Sequence, residues 1–369
     1  MNQQNRIATL VNSKFYPWLL FFVSFVFVAL FSRATSFLYI FEGADPSVFK
    51  QMGRAVLKGK ILYIDYFDNK GCLLYFIHAL GLWLGGDFAI MLMQVASLTV
   101  TLFIWDKMLA LYRTEKERVI CLSIALFLLL CFYGAGDQTQ EWCLPFISYP
   151  MLICFRAYKS NLEIRPLQML VIGFCFGVIT FIQINNACAF MGFIAYLWIQ
   201  YLIKKDFKRL LQSVGCFIAG WVIVAIPCLL YFYVQAGWHG IYEMVYASLL
   251  SNFEYIGNQW HARWIYIIPY CLFVFSVLVI QIINSFNKKC ILIPFIISMC
   301  LFIGTFGQLC NAFYLMAILP LCILVITNLN FTEKRMTKIC LCVSITISLL
   351  FYAGNISKDL IFQDQKEKR

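Results

Sequence analysis

Three runs of the sequence, Leu122 to Gly136, Leu210 to Tyr233 and Ile265 to Ile283, carry no charged residue. Each approaches or exceeds the ~20 residues that cross a ~30 Å hydrocarbon layer as an α-helix. A strand is a poor alternative, because lipid offers no water to satisfy an open sheet edge. Composition points the same way. Of 369 residues, 62% are hydrophobic and 13% charged, with a mean hydropathy of +0.79, more apolar surface than one soluble core hides. These features predict an all-α polytopic membrane protein. Phe15 to Leu30 runs on into a full span without a cleavage signature, so it reads as the first membrane helix and not as a removed signal peptide.

The sulfur-bearing and basic residues exclude other classes. Most of the sixteen cysteines sit inside apolar runs, where a thiol behaves as a small hydrophobe that packs helices. No pair has metal-ligand spacing with a histidine nearby, and the chain has three histidines in all. Neither a structural metal nor a cofactor is therefore expected. The formal charge of +11 does not mark a nucleic-acid binder. Its basic residues come in short clusters between apolar runs: Lys107 to Arg118, Arg156 to Arg165, Lys204 to Arg209, Lys288 with Lys289, and Lys334 to Lys338. Cytoplasmic loops of membrane proteins carry such clusters.

Those clusters decide how "DYFDNKGCLLYFIHALG" (65–81) is read. Were 71–85 a span, every later basic cluster would face outward. Laid along the outer surface, it leaves all five clusters inside with Arg6 and Lys14, eighteen of the 29 Lys and Arg. Gly71 to Leu84 is thus expected as a juxtamembrane amphipathic helix, too short for a comfortable crossing. The resulting bundle has about eleven spans, near 15–38, 88–112, 118–134, 142–157, 166–183, 187–203, 209–234, 264–284, 290–305, 309–328 and 338–353. Residues 1–353 then form one integral domain of the cell membrane with a cytoplasmic N-terminus, and 354–369 a short charged tail. Outside lie a long first loop (39–87), a second (134–142) and a later one (235–263), which hold Glu42, Asp45, Asp65, Asp68, Asp87, Asp137, Glu141, Glu243 and Glu254.

A carboxylate-rich outer face beside lipid suits a general base working at the membrane boundary. Asp45 lies in "FEGADPSVF", where Pro46 and Ser47 read as the first turn of a surface helix (46–58) with Asp45 as its N-cap. A base must reach an acceptor hydroxyl and be partly desolvated, conditions that a lipid-facing loop meets. Plainer roles are open to each candidate. Asp45 serves equally well as a cap, Asp65 and Asp68 as solvating loop charges, and Lys70 as a snorkelling side chain. His261 and Arg263 sit beside Trp260 and Trp264, as interface anchors do. Gln183, Asn185 and Asn186 read as inter-helix hydrogen-bonding groups or as the lining of an acceptor cavity.

The run "ADPSVFKQMGRAVLKGKILYIDYFDNKGCLLYFIHALG" (44–81) resembles the first-loop signature of the GT-C membrane glycosyltransferases, the superfamily of dolichyl-phosphate-mannose and aminoarabinose transferases. Asp45, Tyr63, Asp65, Asp68, Lys70 and Gly71 match its pattern, while Asn69 stands where the family has His and Cys72 where it has Pro. Thr139, Gln140 and Glu141 resemble the second-loop T-E-E element, with Gln in place of one acid. The resemblance covers the N-terminal third of the chain. It implies a GT-C-like bundle that moves a sugar from a polyprenyl-phosphate carrier to a glycan or lipid acceptor of the cell envelope, outside the membrane and with inversion. In that reading Asp45 is the catalytic base. Asp65, Asp68, Lys70, Glu141, His261 and Arg263 bind substrate, and Lys70, or Arg263 with His261, neutralises the departing phosphate. No metal is expected. Two other readings share the topology. A flippase or transporter for lipid-linked sugar would carry ionisable residues at mid-membrane, and a non-catalytic subunit of an envelope polysaccharide assembly would work through a partner.

Overall fold

The computed structural model describes residues 13–32, 44–134, 136–160, 163–251, 264–285, 289–306, 311–327 and 346–347. Among these residues there is no β-strand, only an isolated bridge between Leu62 and Tyr66. The helices are α1 (Tyr16–Phe31), α2 (Ala44–Leu57), α3 (Cys72–Gly85), α4 (Asp87–Leu109), α5 (Glu115–Phe132), α6 (Thr139–Lys159), α7 (Pro166–Gln183), α8 (Cys188–Ile203), α9 (Phe207–Val245), α10 (Trp264–Ser285), α11 (Lys289–Phe306) and α12 (Leu319–Thr327). A 3-10 turn, Ala312–Ile318, leads into α12. Among the described residues, helix lies within each expected span from 15–38 to 309–328, while 338–353 and the tail lie outside the described residues, apart from Thr346 and Ile347.

Three stretches are long and apolar enough to cross a membrane, Asp87–Leu109, Pro166–Ile203 and Phe207–Leu250, against the eleven expected. The difference has two physical sources. The α5 helix opens on Glu115, Lys116, Glu117 and Arg118, and α6 carries Glu141, Arg156 and Lys159, so charge at their ends dilutes the apolar run. Other apolar helices, such as Tyr16–Phe31 and Ile291–Phe306, fall in the 10–17 residue range. Large apolar side chains nonetheless cover the outer faces, with Trp18, Phe22, Leu211, Ile226 and Phe275 exposed, an exterior suited to lipid rather than water.

The Pro166–Ile203 stretch is two helices. Gln183 is extended (φ −165°, ψ 105°), and one 3-10 turn, Ile184–Ala187, separates α7 from α8. Pro166 at the start of α7, Tyr201 near the end of α8 and Arg209 at the start of α9 line one groove, so α7 and α8 run antiparallel. The Phe207–Leu250 stretch breaks at Ala236 and Gly237, where Gly237 adopts φ 61°, a conformation that glycine takes without steric cost. Helices α7 and α9 approach backbone to backbone: a Cβ on Gly173 would strike the Phe217 carbonyl, and one on Gly220 the Leu170 carbonyl. Small residues at such crossings are a common way for helices to pack in lipid.

These contacts give the molecule two chemically different ends. At one, Arg118 pairs with Asp106, whose carboxylate also accepts from the Tyr16 hydroxyl at 3.1 Å; Lys159 donates to the Leu111 carbonyl, and Arg165 and Arg209 share their groove. At the other, the first loop, the second loop and the α7–α8 turn meet.

Candidate functional site

The first loop is held by its own side chains. Asp65 accepts the Ile61 N–H at 2.8 Å and returns its own N–H to the Ile61 carbonyl at 2.9 Å, so this carboxylate closes a local turn. Tyr63 takes φ 68°, a region costly for a bulky residue. It donates its hydroxyl to the Lys70 carbonyl at 2.7 Å and its ring packs against Phe232 and Tyr75. Asp68 accepts the Tyr75 hydroxyl at 2.6 Å and the Asn69 N–H at 2.7 Å, and the Lys70 ammonium donates to the Asn69 amide oxygen at 2.7 Å. Burial first, then the neighbouring Tyr63 and Asp68, keep the Tyr75 phenol protonated well above its ordinary range. Gly71 then passes so close to α7 that a Cβ would strike the Phe181 carbonyl, and its N–H donates to the Ile182 carbonyl at 2.9 Å. The extended Gln183 frees that carbonyl from helix bonding, so the break after α7 docks the loop.

Helix α2 begins at Ala44, which places Asp45 in the first turn rather than at the cap expected for it. A carboxylate there still faces the positive end of the helix dipole. Asp45 is half-buried. Burial pushes its carboxyl above the ordinary carboxylate range, the Lys70 ammonium pulls it down, and the Asp68 carboxylate pushes it up. Asp45, Asp68 and Lys70 therefore form one electrostatic cluster, although 23 residues separate the first two.

The second loop is more deeply buried. Asp137, at φ 55°, accepts His78 Nε2 at 2.9 Å and Trp142 Nε1 at 2.6 Å. Its N–H donates to Glu141 at 2.7 Å, and Glu141 also accepts the Tyr133 hydroxyl at 2.6 Å and the Gln94 amide at 3.4 Å. Thr139 and Gln140 both donate to Gln183, the latter at 3.3 Å. The Thr139, Gln140 and Glu141 side chains thus tie α6 to its neighbours, and Glu141 is fully enclosed. His78 lies between two acceptors, the Leu74 carbonyl at 2.7 Å from Nδ1 and Asp137. Satisfying both makes each ring nitrogen a donor, the imidazolium form. Burial alone would lower the His78 pKa, but the charge and hydrogen bond of Asp137, helped by the Leu74 carbonyl, outweigh it and raise the value.

A family model described as the putative competence-induced protein Ccs4 N-terminal domain matches residues 3–340. The chain belongs to that family. No curated protein and no solved structure matches it. The span shared with the Ccs4 N-terminal domain contains both loops just described, the α7–α8 turn and the two basic clusters around Arg165 and Arg209. It also contains His261 and Arg263, which lie outside the described residues, as does Glu42.

Within this Ccs4-family chain, the candidates with a matched pattern divide by surroundings. Asp45, Asp68 and Lys70 come together, Asp65 serves its own turn, and Glu141 is enclosed behind Asp137. Sequence reasoning missed His78 as the link between the loops; a lone histidine inside an apolar helix was the available signal. It also missed Lys50, whose fully buried ammonium lies 3.0 Å from Asp87 and fastens α2 to the start of α4. Among the described residues no three His, Cys, Asp or Glu side chains converge to hold a metal ion.

Proposed function

We propose that this chain is a multi-pass glycosyltransferase of GT-C-like architecture that transfers a sugar from a polyprenyl-phosphate carrier to an envelope glycan or lipid acceptor at the outer face of the membrane. The observation that carries the reading is the Asp45, Asp68 and Lys70 cluster: a half-buried carboxylate with a raised pKa, beside a second acid and a cation, at the end of the bundle opposite the basic clusters. Concentration of Arg118, Arg156, Arg165 and Arg209 at one end supports a cytoplasmic basic end and an extracytoplasmic site at the other, and helix within ten of the expected spans is compatible with about eleven crossings.

In this mechanism the acceptor hydroxyl attacks the anomeric carbon as Asp45 takes its proton. The bond from that carbon to the carrier phosphate breaks, and the phosphate leaves with the electron pair. A raised pKa strengthens Asp45 as a base near neutral pH. The leaving group is already an anion, so it needs charge neutralisation rather than a proton, a role that falls to Lys70. Burial raises the Asp45 carboxyl and Asp68 adds to that rise, while Asp68 also braces the loop through Tyr75. His78 and Asp137, enclosed beneath, fix the position of α3 relative to the second loop and do not touch substrate. The family description, putative competence-induced protein, concerns when such a protein is made and leaves room for envelope chemistry.

A photoreactive polyprenyl-phosphate sugar tests the location directly. Crosslinks to the full chain in membranes are expected in 44–71, and competition with unlabelled donor should abolish them. Labelling confined to the basic end would speak against the proposal.

A further inference from the structure

A separate feature occupies the basic end. Two adjoining hollows of about 250 Å³ and about 390 Å³ lie where the end of α6 and the starts of α7 and α9 meet, and both are walled by Glu163 and Arg165. Arg156 lines one and Arg209 the other. We propose that this groove binds a phosphate-bearing anion, either the headgroup of an anionic lipid or a small phosphate compound.

Electrostatic preference for the cytoplasm requires only that arginines occupy inner loops. Here Arg165 lines both adjoining hollows, with Arg156 beside it in one and Arg209 in the other. Guanidinium forks match phosphate oxygens in pairs, which makes arginine more selective for such a group than a point charge is. Arg209 is partly compensated, with Asp206 at 3.3 Å and Glu163 at 3.8 Å. Among the described residues Arg156 and Arg165 have no acidic partner. Neutral donors complete the lining: Ser213 accepts Trp198 Nε1 at 2.9 Å, which leaves the serine hydroxyl hydrogen to donate, and Gln168 accepts the Arg165 N–H at 2.9 Å, which leaves its amide NH2. The groove sits where α7 begins, so the positive end of that helix adds to the field.

Size narrows the ligand. Both hollows lie near the low end of the ~300–1,000 Å³ typical of drug-sized pockets, enough for a headgroup and not for acyl chains, which would remain among Leu167, Leu211 and their neighbours on the exposed apolar surface. Glu163 opposes an anion, but its side chain is 74% exposed and its contact with Arg209 is long, at 3.8 Å. The inference shares no residue with the proposed transfer site and stands apart from that reading.

The test uses the full chain in nanodiscs of phosphatidylcholine, alone or mixed with phosphatidylglycerol. Native mass spectrometry reads retained phosphatidylglycerol, and titration of the phosphatidylcholine discs with inorganic phosphate or glycerol 3-phosphate reads the soluble alternative. The double variant Arg156→Gln/Arg165→Gln should weaken binding about tenfold or more, from the loss of charge-assisted hydrogen bonds. Glu163→Gln should tighten it, and Lys116→Gln, outside the groove, should leave it unchanged. Retained phosphatidylglycerol that follows this order assigns a lipid headgroup; phosphate or glycerol phosphate that follows it assigns a soluble compound. The arginines are exposed, so unchanged thermal unfolding in phosphatidylcholine discs verifies that the variants fold. Failure of all three probes to bind, or a double variant that binds like Lys116→Gln, would overturn the inference.

Discussion

Burial raises the Asp45 carboxyl and two neighbours of opposite sign tune it, and this makes its role measurable. Transfer should rise with pH as the Asp45 carboxyl ionises, with a midpoint above the ordinary carboxylate value of ~4. Asp68→Asn removes a charge that raises Asp45, so the midpoint should move down; Lys70→Gln removes one that lowers it, so the midpoint should move up. A pH–rate profile of each variant checks both signs. His78 offers a stability counterpart. Its folded pKa is raised above the unfolded ~6.5, so its contribution is complete below that value and is lost as pH rises through the folded one. His78→Gln should destabilise the protein by about 3–5 kcal/mol through an unpaired buried Asp137, and the deficit in thermal unfolding should shrink at high pH. Asp45 and Lys70 were legible because their loop has a recognisable residue pattern. The His78–Asp137 pair was not, since its 59-residue separation is bridged only once α3 and the second loop are placed.

Helices were the most legible level, because an uncharged apolar run specifies one with little help from neighbours. The break between α7 and α8 falls where the expected spans 166–183 and 187–203 leave it, but its geometry was harder to see. Nothing in "FIQINNA" (181–187) announces that Gln183 becomes extended and frees the Ile182 carbonyl, yet that break receives the first loop. Gly71 read as one position in a pattern, whereas the structure gives it a steric reason. Gly71→Ala should cost about 1–3 kcal/mol through forced separation of the loop from α7, and it should lower transfer more than its effect on melting accounts for, since Lys70 is displaced with it. Gly173→Val should instead lower melting temperature by separating α7 from α9, with transfer per folded molecule little changed. Parallel melting and activity measurements on the two variants separate docking of the loop from general packing.

At the scale of the molecule, charged groups divide between two ends of the bundle. The basic end holds Asp106 locked by Arg118 and a groove lined by arginines; the other end holds a buried second loop and a part-exposed first loop, with the half-exposed Asp45 at their edge. The central claim is that Asp45 is the base of a sugar transfer at that second end. Its most direct test is transfer from radiolabelled polyprenyl-phosphate sugars in membranes that contain equal amounts of the wild-type chain or Asp45→Asn. Loss of transfer with donor binding retained is the predicted result. Equal transfer by both chains would contradict the role of Asp45, and no transfer by either across a panel of donors would contradict the enzyme reading and favour a transporter or partner subunit.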